Sequence, residues 1–126
     1  MTDTTWNTTI GATDTLSESR STLNDNFAAA RKLTVAAITV SDSPYTAGDE
    51  DVIEVDASGG AVTINLPALA SSSGQVYRVS KRDASANAVT LDGDSSETIN
   101  GTTTRALSSQ YDSVTIVAMS SEWGEL

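Results

Sequence analysis

Neither histidine nor cysteine occurs anywhere in this chain. Without histidine the usual general base and the commonest transition-metal ligand are gone, which excludes Ser-His-Asp, Cys-His and HExxH chemistry. Without cysteine there are no disulfides, thiolate metal sites or cysteine nucleophiles. Ser-Lys catalysis lacks its SxxK spacing, and Ser80 and Lys81, adjacent in sequence, fall on opposite faces of a strand. No run approaches the roughly 20 apolar residues that span a bilayer. The polar start MTDTTWNTT does not read as a signal peptide, so the expectation is a soluble chain made in the cytoplasm, with no membrane partner. Positive charge is also scarce, with seven basic residues against 17 acidic ones for a net charge of −10. Such a surface repels phosphate backbones, which argues against nucleic acid as a partner.

Aromatic residues number six and prolines two, whereas serine and threonine together reach 36. The surface is therefore hydroxyl-rich and the core drawn mainly from Val, Ile, Leu and Ala. At 126 residues and 38% apolar content the chain can bury one modest core, and self-association would supply further stability.

The second half alternates. AVTINLPA, GQVYRVSK, NAVTLDG, ETINGTT and YDSVTIVAMSSEWGEL follow one another between turn residues. Val62, Ile64 and Leu66 share one face of their segment, and Thr63 and Asn65 share the other. Val76 and Arg78 likewise oppose Tyr77 and Val79. LTVAAITV from Leu33 is a further strand candidate, SDSPYTAGDED a polar loop, and Ser58-Gly59-Gly60 before AVTINLP predicts a hairpin. This pattern predicts a mainly β fold, an antiparallel β-sandwich or jelly-roll-like barrel over residues 34–126.

Residues 1–33 read differently. An extended polar arm over 1–13 carries only Trp6 and Ile10 as large apolar groups. Trp6 either enters a partner's pocket or folds back on its own domain. One short helix is predicted over 15–33, N-capped by Asp14 or Thr15, with Leu16, Leu23, Phe27 and Ala30 forming a narrow stripe. That stripe could meet symmetry mates, its own β domain or a larger assembly.

Four local patterns have a bland reading beside a functional one. Arg78, Lys81 and Arg82 form the only concentrated positive charge, for ion pairing with nearby acids or for a ligand. Asp92, Asp94 and Ser96 in LDGDSSE have the alternate oxygens of a calcium loop, but Glu97 stands where that loop needs glycine, leaving a solvated hairpin as the default. This group and Asp49-Glu50-Asp51 are the densest acids. Neither has the aromatic platforms of carboxylate-pair glycan hydrolysis, so no enzyme, cofactor or metal is expected. The sequons at Asn7 and Asn100 arise readily in threonine-rich sequence and carry no weight.

From about Val52 onward, one ordered set of features stands out: TINLP, Y-R-V-x-K, D-x-x-x-N-x-V-T-L, SETING, YDSVTIV and a near-terminal tryptophan. Together with LNDNFAAARKL at 23–33, this set resembles a small β domain of tailed-phage fibre, head-fibre and capsid-decoration proteins. The resemblance implies a homotrimeric virion protein, bound through its N-terminal part and displaying its β domain outward. A major capsid protein or another virion structural protein would be its partner. On this reading Trp6, Ile10, Leu16, Leu23 and Phe27 anchor the chain, since burying apolar surface yields about 25 cal/mol per Å² before association costs. Val62, Ile64, Leu66, Val76, Val79, Val89, Leu91, Val114 and Ile116 would form the core or subunit interface. Trp123 would seal one end of the sandwich or stack on a sugar. The alternative function is a tail-fibre module binding a host receptor or surface glycan through Tyr77, Tyr111 or Trp123.

Overall fold

The computed structural model describes residue 20 and residues 32–126. The anchor residues Trp6, Ile10, Leu16, Leu23 and Phe27 lie outside the described residues, as does the helix expected over 15–33 apart from Arg20 and its last two positions. By internal contacts the chain divides into Met1–Leu33 and Thr34–Leu126.

The second unit is mainly β. Its strands are Val35–Thr39 (β1), Tyr45–Thr46 (β2), Val52–Asp56 (β3), Val62–Asn65 (β4), Val76–Lys81 (β5), Val89–Asp92 (β6), Thr104–Leu107 (β7), Ser113–Ala118 (β8) and Trp123–Glu125 (β9). They form two sheets, ordered β1-β3-β5-β8-β9 and β2-β4-β6-β7. The first six strands thus alternate between sheets, and each of the first four pairs in parallel with the strand two places on. Val35 lies against Val52 and Val52 against Arg78 in one sheet; Tyr45 lies against Ile64 and Val62 against Val89 in the other. Only the last three ladders, β5 with β8, β6 with β7 and β8 with β9, are antiparallel.

The expectation of antiparallel sheets is corrected here, since both sheets are mixed. The reason is local. Ser58-Gly59-Gly60 does not return β4 onto β3; it carries the chain across to the other sheet. A Cβ on Gly59 would stand 2.9 Å from Val40 Cγ1 and one on Gly60 3.1 Å from Val40 Cγ2. The glycine pair therefore serves a close approach of the Val40–Asp42 turn rather than a hairpin reversal. ETINGTT is not a strand either: Asn100 and Gly101 both have positive φ, 46° and 87°, and make a tight turn bridged from Ile99 to Thr102.

Side-chain parity fills one core from both sheets. Ile53, Val55, Tyr77, Val79, Val114, Ile116 and Trp123 come from the first sheet, and Val62, Ile64, Val89, Leu91 and Leu107 from the second. Of the nine residues expected in the core or at a subunit interface, eight are buried. Val76 points outward at 40% exposure, because Tyr77 and Val79 take the inward phase of β5.

The two ends of this winding differ. At the far end, residues 98–100 lie along β9: Trp123 N donates to Thr98 O and Asn100 N to Trp123 O, while the Asn100 side chain accepts Glu125 N. Arg105 of β7 reaches Glu125 of β9 there, tying the edges of the two sheets together. At the near end β1 and β2 are edge strands among the described residues, with Ala36 and Tyr45 half-buried against the core.

Candidate functional site

The densest polar cluster sits where β5 runs into the loop before β6. Lys81 has the same parity as Tyr77 and Val79, so it turns inward and is fully buried. A buried ammonium must be paired, and Asp83, two residues on, supplies the partner with Nζ to Oδ2 at 2.7 Å. Asp83 also accepts Ala57 N at 2.7 Å and Ser85 N at 3.0 Å, and the Ser85 hydroxyl. Ser85 and Asn87 in turn donate to Ala57 O, at 3.2 and 2.8 Å. Burial works to raise the Asp83 pKa, but the hydrogen bonds from Lys81, Ser85 and the two backbone amides outweigh it and hold the carboxyl well below the usual carboxylate range. The network pins the loop to the end of β3. Chemically, a carboxyl held that far down and accepting four hydrogen bonds is a poor general base.

The expected basic cluster is therefore divided. Lys81 is committed inward, while Arg78 and Arg82 face solvent. Arg78 donates to Thr115 Oγ1 and Ser113 Oγ on β8, and Arg82 stacks 5.0 Å over the Tyr111 ring. Lys81 meets the ion-pairing expectation; the two arginines make no ion pair among the described residues.

Three acidic side chains of the two dense clusters, Glu50, Asp51 and Glu97, are occupied as caps. Glu50 accepts the Tyr45 hydroxyl at 2.8 Å and the Gly48 amide, and its hydrogen bond is the main cause of a raised Tyr45 pKa. Asp51 accepts Thr34 N at 2.8 Å, fixing the start of β1. Glu97 of the calcium-like segment turns away from Asp92 and Asp94 to accept Leu69 N at 3.0 Å. Among the described residues no three acidic, histidine or cysteine side chains converge for a metal. A concavity of about 350 Å³ is lined by Thr46, Asn65, Pro67, Asp92 and Asp94 at the ends of β2, β4 and β6.

Two of the three glycan-stacking candidates are buried. Trp123 and Tyr77 lie 5.7 Å apart in the core, and the Tyr77 hydroxyl donates to Gly48 O at 2.6 Å. Burial first, then Glu50 and Asp49, pushes the Tyr77 pKa up to about 12. Tyr111 alone is exposed, at 64%, held in the left-handed region with φ 68°.

Edge strand β1 is the remaining feature. Its sequence VAAIT has no charge and no proline. Thr34 O accepts Asp51 N and Val52 N, so the backbone groups of residues 34, 36 and 38 face β3, and those of Val35, Ala37 and Thr39 face outward. Asp42 closes the far end by accepting Thr39 N at 2.9 Å. Asp83, Ser85 and Asp42 were missed in the sequence; the available signals were the Asp-x-Ser turn after β5 and an acid three residues beyond Thr39.

No family model matches the chain, and no curated protein matches it.

Proposed function

We propose that this chain is a structural protein of a virus particle, a homotrimeric capsid-decoration or head-fibre protein that sits at the particle surface and is held by its N-terminal segment. Its two sheets pack face to face as a sandwich in each subunit, and it works through contact area rather than turnover. The observation that carries this reading is the use to which the molecule puts its ionisable groups. Lys81, Asp83, Glu50, Asp51 and Glu97 are all consumed in fixing strands and loops. The ordered motifs from TINLP to the near-terminal tryptophan supply the virion part of the proposal. The competing glycan-binding reading keeps only Tyr111 as an exposed ring, and Arg82 already covers one of its faces.

Light scattering of the full chain should give three times 13.1 kDa, and removing residues 1–32 should leave a folded β unit that no longer joins particles. A monomer at micromolar concentration, or unimpaired joining by the shortened chain, would refute the assembly and the anchor respectively.

A further inference from the structure

Among the described residues no strand pairs with the outer edge of β1, and that edge has the geometry of a docking site for another strand. Sheet edges with unpaired amides and carbonyls template pairing, and natural proteins usually protect them with lysine, proline or a bulge. β1 has none of these over Val35–Thr39, and Val35 is 58% exposed. Asp42 satisfies the amide of Thr39, leaving the outward amides and carbonyls of Val35 and Ala37 to a partner.

The outer face beside that edge specifies what kind of partner fits. In register with Ala37 and Thr39 of β1 stand Glu54 and Asp56 of β3, both exposed. Neither makes an ion pair among the described residues. Between them and an added strand lie only the small side chains of Ala37 and Thr39. Lysine or arginine stems from that strand can cross β1 and bring their charges to the two carboxylates. A second copy of this chain does not fit: its own β1 would offer Val, Ala and Thr at those positions, and its Glu54 and Asp56 would double the acid on one face.

We infer that β1 receives an extended segment of a different protein, with two basic residues spaced two apart on the face it shares with Ala37 and Thr39. The added strand would take its backbone bonds from Val35 and Ala37 and its selectivity from Glu54 and Asp56. This inference goes beyond the virion proposal and does not require it.

The test uses the full chain and a blocked heptapeptide of alternating valine and lysine, with the valine-glutamate heptapeptide as counterpart. Saturable binding of the lysine peptide is expected by fluorescence anisotropy, with amide shifts in NMR spectra centred on Val35–Thr39. Glu54→Gln with Asp56→Asn should weaken it roughly tenfold at low salt. Ala37→Lys, an exposed change that leaves the fold intact, should weaken it by as much by placing a cation beside Glu54. Equal binding of the glutamate peptide, shifts elsewhere, indifference to these substitutions, or copies pairing through β1 would each overturn the inference.

Discussion

Asp83 shows how one side chain can hold several elements at once. It neutralises Lys81 from β5, caps the amide of Ala57 after β3, and organises Ser85. Removing one member of a buried ion pair leaves the other charge uncompensated and costs about 3–5 kcal/mol. Asp83→Asn should therefore lower the urea midpoint by an amount of that order, while Ser85→Ala loses nearer to 1 kcal/mol. The pH dependence has a definite sign. The carboxyl is more acidic in the folded state than the unfolded value of about 4. Its contribution is complete above that value and is lost as the pH falls further below it. Between pH 4 and 2 the parent should lose stability more steeply than the Asn variant; parallel curves would show that the pair does not couple to folding. The inward turn of Lys81 was legible in parity, because Tyr77, Val79 and Lys81 alternate together. The run Arg78, Lys81, Arg82 suggested a surface cluster, but a strand separates neighbours by face, and charge did not override that geometry.

At the scale of elements, two glycines make a controlled comparison. A Cβ on Gly93, after β6, would collide with the backbone carbonyl of Glu97, which cannot move without breaking the Glu97-to-Leu69 contact. A Cβ on Gly124, in β9, would meet only the end of the Met119 side chain, itself 46% exposed. Gly93→Ala should cost about 3 kcal/mol, at the upper end for overpacking, and Gly124→Ala less than about 1 kcal/mol. Thermal melts of the two variants check this, and a reversed order would contradict it. Which residues face inward could be read from period-two alternation, as Val62, Ile64, Val89, Leu91, Val114 and Ile116 show. Which strand pairs with which could not, since alternation fixes a face but names no neighbour. Ser58-Gly59-Gly60 carries the same letters for a hairpin as for a crossing between sheets, and only the position of Val40 decides between them. The short strands Tyr45–Thr46 and Thr104–Leu107 were hidden in polar and threonine-rich sequence, because their ladder partners rather than their own composition make them strands.

For the whole molecule, ten uncompensated negative charges on a chain of 126 residues work against compactness. Raising the salt concentration from about 0.01 M to about 1 M shrinks the screening length from about 30 Å to about 3 Å. The thermal midpoint should rise over that range by a few degrees, and a fall would mean that exposed attractive pairs outweigh the repulsion. Assembly into a trimer would press such charges together and should share this dependence on salt. The contrast between the two ends of the winding has a consequence for how such a chain can grow. Val35 meets Val52 17 positions on, and Tyr45 meets Ile64 19 positions on, so a unit of that length is one full turn. Duplicating it ahead of Val35 would add a turn and leave the Trp123 end untouched, whereas the same insertion after β7 would have to prise Arg105 from Glu125. Among the described residues, lengthening by gene duplication is thus polar: β1 offers an edge to a further turn, and the Arg105–Glu125 pair closes the other end.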